Sequence, residues 1–514
     1  MLEGSKKMIK RVVIVLLIVL SSFTVFALYR TLAYDTSVVE NTPSTTDLDY
    51  TFQIGNSSVK QLVVEPNETR YYDVVMYNPN PAKISYGIYY EMVSPTTKPD
   101  DYSIVYKRRS RDKSSGVVSK ESSIQLSIEV VNNTGETVTV KLGSVAGYVK
   151  GGELTLEDGQ VLIPEKQITA SEFVELLDDG GNGDSGSGVY KIHHDEISST
   201  DSVTGEVIPA VDDYRYYGAN PDNYVCLDFE GNKTCPDKHL YRIIGSIYDE
   251  LESTNRLKII KATVLTDGTV NTFAWDYKSD GTTENIWATP TETRNNITNN
   301  YSNSTTSGSS LMVMLNSGIW WSDTTNTGKM YDGSNESGRD VNFANYKLSS
   351  NAKSIIGDSR YYLAGHNIFE ITSGAMYIYE RTTTGYKNGR INNSRPYYWE
   401  GKVALMYPSD YGYAAGTTCA TGTHIYKYDT SCKNIDWLLD TSNWQWLLPM
   451  RPSDPEATYS ITSSGSVNYI DMSSLIYYTT AKAFSVRPVF YLKPQVIFTS
   501  GLGTIDNPYI PSMP

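Results

Sequence analysis

Ile124-Gln125-Leu126-Ser127-Ile128-Glu129-Val130 alternates apolar and polar side chains, breaks at Asn132-Asn133-Thr134-Gly135, and resumes the alternation at Val138, Val140 and Leu142. A period of two sends successive side chains to opposite faces of an extended chain, so each run is a strand with one buried face. Two such runs joined by an Asn/Gly turn predict a hairpin. Upstream, Tyr72-Asp73-Val74-Val75-Met76-Tyr77 stops at Asn78-Pro79-Asn80-Pro81, and Ile84 to Met92 continues as a strand. Several short strands separated by turn signals predict an all-β sandwich.

Toward the N-terminus, a polar stalk, Asn41-Thr42-Pro43-Ser44-Thr45-Thr46, separates this region from an uncharged, largely apolar run at Val12–Tyr29. Roughly 18 residues at about 1.5 Å each match the ~30 Å hydrocarbon core of a bilayer. Lys6, Lys7, Lys10 and Arg11 precede the run and Arg30 closes it. The basic flank holds the N-terminus inside and sends the rest across, predicting a single-pass cell-membrane protein with its bulk extracellular. The run ends Phe26-Ala27-Leu28-Tyr29-Arg30, without the small-residue pattern of a cleavage site. Residues 1–30 therefore read as a cytoplasmic tip and uncleaved signal anchor, with the membrane a partner through residues 12–29.

The net charge is −14, and the first 30 residues hold five basic groups and one acidic, which leaves −18 on the remainder. Such a balance excludes the basic footprint of a nucleic-acid binder. The chain has 41 Tyr against 11 Phe, a bias that suits strands with aromatic surfaces. Its four cysteines fall in two close pairs, Cys226 with Cys235 and Cys419 with Cys432. An even count at short local spacing in an exported chain predicts two disulfides, whereas zinc more often uses C-x-x-C knuckles.

Downstream of the sandwich, Thr169-Ala170-Ser171-Glu172 has capping-box spacing ahead of Phe173, Val174, Leu176 and Leu177, which predicts a short helix. Asp178-Asp179-Gly180-Gly181-Asn182-Gly183-Asp184-Ser185-Gly186-Ser187-Gly188 carries no apolar side chain and reads as a flexible linker. Residues 166–212 are thus a helix and linker, and a second domain starts near Tyr214. Strands are predicted at Val225–Phe229, Leu240–Ile247, Leu257–Ala262, Val403–Met406, Trp444–Leu448 and Val486–Leu492. A helix is predicted at Leu311–Leu315 after the Ser309-Ser310 start, and a second, amphipathic one across Leu348, Ala352, Ile355, Ile356 and Tyr361. Together these predict an α+β domain, with Thr282–Ser310, rich in Asn, Thr and Ser, as an inserted loop.

The strand, Asn-Pro-Asn turn and Tyr-rich strand around Tyr72–Met92 resemble immunoglobulin-like stalk domains of bacterial surface proteins, across residues 47–165. Four further segments carry a second resemblance: Asn223-Tyr224-Val225-Cys226, Leu240-Tyr241-Arg242-Ile243-Ile244-Gly245, Trp399-Glu400-Gly401-Lys402-Val403-Ala404-Leu405-Met406-Tyr407-Pro408-Ser409-Asp410-Tyr411-Gly412 and Ser485-Val486-Arg487-Pro488-Val489-Phe490-Tyr491-Leu492. These look like an uncharacterised domain family of Firmicutes-type surface proteins, distantly similar to the C-type-lectin-like, formylglycine-generating-enzyme-like fold. The match spans residues 213–497, followed by a C-terminal tail at 498–514. It implies that the first and last strands pair, bringing Tyr241–Ile247 beside Val486–Leu492. The expected architecture is multidomain: an N-terminal transmembrane helix, an all-β immunoglobulin-like sandwich, then an α+β C-type-lectin-like domain.

Neither resemblance brings an activity with it. Formylglycine-generating enzymes bind copper through a reactive cysteine pair, but the pairs here read as local staples. Sugar-binding C-type lectins use a Glu-Pro-Asn loop and a Trp-Asn-Asp triplet. Glu65-Pro66-Asn67 spells the first, in the stalk region, where it reads as a turn, and the second does not occur. His193, His194, Asp195 and Glu196 suit a metal by residue type, yet without a second spaced set they read as a solvated turn. Asp410 with Glu400 is a candidate carboxylate pair for glycoside chemistry, and Asp410 also suits a cap on the Pro408-Ser409 turn. Arg487, flanked by Val486 and Pro488, predicts a buried ion pair. Tyr214, Tyr216, Tyr217, Tyr397, Tyr398, Trp399, Tyr411 and Tyr413 are candidates for an aromatic platform, with Trp399, Tyr411 and Tyr413 as its ligand-binding residues; core packing suits the same side chains. No metal, cofactor or catalytic residue is expected. The function expected is membrane-anchored, non-catalytic surface binding or adhesion, with a glycan or a host or matrix protein as partner. The alternatives are an extracytoplasmic enzyme acting on glycans and a structural envelope protein.

Overall fold

The computed structural model describes residues 51–54, 61–107, 113–148, 154–178, 180–198, 207–275, 287, 308–330, 339–366, 370–381, 397–432, 436–451, 457–471 and 482–514. The chain is β-rich and splits into two compact units, one ending at Gln167 and one spanning Ile168–Pro514. The expected signal anchor lies outside the described residues, among which no helix is long and apolar enough to cross a membrane.

Among the described residues, ten strands build the first unit: β1 (Thr51–Ile54), β2 (Gln61–Val64), β3 (Glu68–Asn78), β4 (Ile84–Ser94), β5 (Tyr102–Lys107), β6 (Ser115–Val118), β7 (Ser122–Asn132), β8 (Val138–Tyr148), β9 (Gln160–Leu162) and β10 (Glu165–Lys166). One sheet runs β1-β3-β7-β5-β10 and the other β2-β8-β4-β6, with β9 also on β4. The alternation read from the sequence is in place, since Leu126, Ile128 and Val130 are buried, as are Val138, Val140 and Leu142. The partners differ from expectation. Strands β7 and β8 belong to different sheets, so Asn132–Gly135 is an arch across the core and not a hairpin turn. Alternation reports which face is buried and says nothing about which neighbour is hydrogen-bonded. The stretch Glu65-Pro66-Asn67 is, as read, a turn, between β2 and β3, with Asn67 at φ 58°.

Asn132 makes the arch. Its buried amide nitrogen donates to the carbonyls of Val64 (2.9 Å), Glu65 (3.1 Å) and Glu136 (2.9 Å). Its Oδ1 accepts from the Thr134 amide (3.1 Å) and hydroxyl (2.6 Å). Asn78 repeats the device at the β3–β4 crossing, donating to Ala82 (2.9 Å) and Ser119 (3.0 Å). Removing such a side chain strands several part-buried carbonyls at once, and each buried polar group left unsatisfied costs about 1–3 kcal/mol. Asn132→Ala is therefore expected to lower the first unit's calorimetric transition by about 2–3 kcal/mol. The exposed neighbour supplies the control: if Asn133→Ala shifts the transition equally, the corner role is wrong.

The second unit is organised by an antiparallel sheet of β11 (Gly188–His194), β12 (Val211–Tyr217), β13 (Tyr224–Cys226), β14 (Leu240–Asp249), β15 (Thr254–Lys261), β16 (Val403–Ala404) and β17 (Val489–Tyr491). Its order is β11-β12-β14-β15-β17-β16, with β13 also on β14. The last strand therefore pairs with β15 through Ile259↔Phe490, and not with β14 as the resemblance implied. Strand β14 bulges between Ile243 and Gly245, where a Cβ on Gly245 would sit 2.3 Å from the Tyr214 carbonyl. That close approach requires glycine.

Helix α1 (Ala170–Glu175) starts with the expected capping box on Thr169, and α2 (Ser310–Asn316) is capped by Ser309, as its sequence implied. The amphipathic helix expected over Leu348–Tyr361 is shorter. It forms α3 (Ser350–Ser354) and then yields to the strand Ser359–Tyr362, which pairs with Tyr398–Gly401. The remaining α-helices among the described residues are α4 (Ser373–Arg381), α5 (Pro408–Ala414), α6 (Thr417–Gly422) and α7 (Tyr428–Ser431). The expected inserted loop, Thr282–Ser310, falls largely outside the described residues.

The expected linker is corrected in the same way. Residues 168–212 belong to the second unit, and β11 pairs with the full length of β12. The Gly/Asp-rich stretch is docked through its own backbone and polar groups. Gly183 and Gly186 adopt φ 73° and 76°. Nearby, the Ser185 carbonyl accepts from the Tyr217 hydroxyl (3.0 Å) and Asp184 accepts from the Thr418 amide (2.7 Å). Asp184 thereby supplies a side-chain cap to α6, whose own N-cap, Gly416, has none.

Candidate ligand-binding groove

Alternation along β12 separates two environments. Asp212 and Tyr214 line a surface groove of about 660 Å³, while Asp213 and Arg215 point into the core. Helix α1, the β14–β15 ribbon and Pro494-Gln495 complete the groove. The capping box fixes the start of α1: Glu172 accepts from the Thr169 amide (2.8 Å), and its own amide donates to Thr169 Oγ1 (3.2 Å). Glu175, the last residue of α1 and three past the capping-box Glu172, is half-buried in the groove wall. Ser246 donates to Glu175 (2.8 Å), so in the contact between Ser171 and Ser246 (2.5 Å) Ser171 is the donor. Asn255 also hydrogen-bonds Glu175, and its Nδ2 donates to the Asp212 carbonyl (2.9 Å).

Two of the three groove carboxyls, Glu175 and Asp212, are biased in opposite directions. Burial raises Glu175 above the ordinary carboxylate range, against the hydrogen bonds from Ser246 and Asn255. Asp212 is held below that range by the Lys191 ammonium at 2.7 Å, with His193 Nδ1 at 2.8 Å adding to the effect.

Beneath the groove lies a closed network of buried charges. Arg215 bonds Asp213 (2.8 Å) and Asp410 (2.8 Å), and Asp410 also accepts from Lys258 (2.6 Å). His194 Nε2 lies 3.1 Å from Asp213 and its ring stacks on Tyr377 at 3.7 Å. Burial lowers His194 below the ordinary imidazole range, against the pull of Asp213. Burial also pushes Glu380 up to about 7, despite Arg381 at 3.3 Å and the Ser409 amide at 2.9 Å. Every carboxylate here ends on cations, hydroxyls or amides of the protein itself. The arrangement orders the core and offers no open position to a substrate.

Most of the residues singled out in the sequence lie away from the groove. Trp399, Tyr411 and Tyr413 are 2%, 0% and 5% exposed, so they pack in the core and present no platform. Tyr411 donates to the Gly465 carbonyl (3.0 Å), and Tyr413 covers the Arg215 guanidinium at 5.0 Å. Of the candidate platform residues, Tyr214 reaches the groove. Asp410 and Glu400 do not form an acid pair, because Asp410 is buried on Lys258 and Arg215 while Glu400 holds Arg360 at 3.0 Å. The His193–Glu196 stretch is strand through His194, and not a solvated turn. Arg487 is buried as expected, but carbonyls of Lys261 (2.8 Å) and Leu438 (2.9 Å) receive its donors where an ion pair was expected. Carbonyl lone pairs satisfy a guanidinium without burying a second charge, though burial still pulls Arg487 down to about 10.

Both cysteine pairs form the expected disulfides, Cys226–Cys235 and Cys419–Cys432. Among the described residues, no group of three or more His, Cys, Asp or Glu side chains is placed to hold a metal. No family model and no curated protein matches the chain.

The sequence reading missed Glu175, Tyr248 and Asn255. Glu175 was visible as the residue three past the capping-box Glu172, but its place in a groove depends on α1 docking beside β14.

Proposed function

We propose that the chain is a membrane-tethered, extracytoplasmic binding or adhesion protein. Residues 12–29 would anchor it, an immunoglobulin-like sandwich would serve as spacer, and a C-type-lectin-like head would carry the ligand site. The observation that carries this reading is the groove: an open cavity of about 660 Å³, lined by tyrosines and convergent polar side chains, within the size range of small-ligand sites. The two disulfides of the same unit support an oxidising, exported setting. A binding role is supported by the engagement of Asp213, Arg215, Lys258 and Asp410 with one another, which leaves these four buried charges no open position for a substrate.

The test uses the full chain in detergent, titrated against immobilised glycans and matrix proteins with and without calcium. Saturable binding that Tyr214→Ala weakens severalfold is the expected result. No binding anywhere on the panel would overturn the reading in favour of a structural envelope role. A second reading, an extracytoplasmic enzyme acting on glycans, is supported by two carboxyls that line one groove in opposite surroundings: burial raises Glu175, and the Lys191 ammonium at 2.7 Å lowers Asp212. Glycan hydrolysis that Glu175→Gln abolishes would replace binding with catalysis.

A further inference from the structure

The groove's acids are not equally engaged. Glu172 is taken by the α1 cap, and Asp212 by Lys191 and His193. Glu175 takes its hydrogen bonds from the neutral groups of Ser246 and Asn255, and among the described residues no lysine, arginine or histidine pairs with it. A half-buried carboxyl without a cation is held in an unfavourable ionisation state, and a ligand cation relieves that. Tyr248 beside the carboxylate adds a ring that attracts the same ligand group, whereas the Tyr214 ring already carries Lys191 at 5.9 Å. The net charge of −14 draws cations toward the protein at long range.

Resting on the binding reading above, we infer that the groove takes the ammonium or guanidinium group of an organic ligand, docked on Glu175 among Tyr214, Tyr248 and Asn255. A bare divalent cation fits less well. Calcium wants six to eight oxygens, and two of the three groove carboxylates already serve the protein. Two sources carry the required chemistry, a basic peptide and a polymer of amino sugars.

The experiment is isothermal titration calorimetry on the full chain in detergent, with tetralysine, with a glucosamine tetramer, with the N-acetylated form of that tetramer, and with calcium chloride. The two sugars share a backbone and differ in the cation. At least one amine-bearing probe is expected to bind about tenfold or more tightly than the acetylated sugar, a gap of about 1.4 kcal/mol. Which amine wins identifies the source. Glu175→Gln, isosteric and with its hydrogen-bonding shape kept, is expected to remove that preference while leaving the thermal transition in place. Ser246→Ala, which strips a hydrogen bond from Glu175 without touching its charge, should keep the preference. Equal binding of the acetylated and free-amine sugars, or an amine preference that survives in Glu175→Gln, overturns the cation assignment and leaves the groove as a neutral-ligand site. Calcium binding that Glu175→Gln removes, with no amine binding, also overturns it. Failure of all four probes overturns it too and, with an empty glycan and matrix panel, takes the binding reading with it.

Discussion

A chain begun at Tyr214 is expected not to fold, whereas one begun at Ile168 is expected to melt cooperatively. The shorter chain loses α1, with Ala170 and Val174 buried, and β11, with Val189 and Tyr190 buried. Burying one large apolar side chain is worth about 1.5–3 kcal/mol, so three of them are of the order of a whole domain's 5–15 kcal/mol. Two further losses compound this. Strand β12 forfeits the neighbour it pairs with from Gly188↔Tyr217 to His194↔Val211. Arg215, 1% exposed, loses Asp213 and keeps one carboxylate of two. A guanidinium left short of a partner in the core is costly. The Tyr190 hydroxyl bond to the Tyr413 carbonyl (2.8 Å) goes as well, and with it a tie to α5. Near-ultraviolet circular dichroism and limited proteolysis of the two chains decide the matter. A melt of 214–514 within a few degrees of that of 168–514 would show that the first 46 residues of the unit are dispensable.

That boundary also shows where sequence patterns stop. Asp178–Gly188 has no apolar side chain, so a reading of hydrophobic periodicity assigns it to a linker. Residues 180–188 are held through carbonyls, an aspartate cap and glycines at positive φ, which leave no trace in such a pattern. In the sandwich, alternation identified the buried faces of β7 and β8 but not their separate sheets, because the arch depends on the carbonyls that Asn132 collects from Val64 and Glu65, more than 60 residues away. Local devices were readable: the Thr169 capping box, the Ser309 cap and both disulfides need only residues close in the chain. The aromatic candidates failed as a platform for the opposite reason. Tyrosine suits water and core alike, and only long-range topology buries Tyr411 while leaving Tyr214 at the groove.

Asp410→Asn is expected to be the most damaging single substitution in the second unit, at about 3–5 kcal/mol. The sequence suggested a turn cap, and Asp410 does accept from the Tyr407 amide (3.0 Å) at the start of α5. Its larger role comes from residues remote in the chain. Oδ1 receives Arg215 at 2.8 Å and Oδ2 receives Lys258 at 2.6 Å, all three side chains being buried. Asparagine keeps the volume, but it removes the charge and aims an amide at one of two cations, so a buried ammonium or guanidinium is left uncompensated. Burial alone would raise the Asp410 carboxyl; Lys258 and Arg215 outweigh it and hold the group below its ordinary range. A depressed folded-state value means that the stabilisation is fully present above the unfolded carboxyl's midpoint near pH 3.9, and is lost as pH falls through the folded one. Wild-type stability should therefore fall below about pH 4 with a contribution that Asp410→Asn lacks. Lys258→Met in the Asp410→Asn background removes the stranded ammonium and should restore about 1–2 kcal/mol, a coupling that independent sites would not show. Urea denaturation at pH 7 of the wild type, both single variants and the double variant measures that coupling. Additive losses, or an Asp410→Asn protein within about 0.5 kcal/mol of wild type, would mean that the buried charges do not hold the core together.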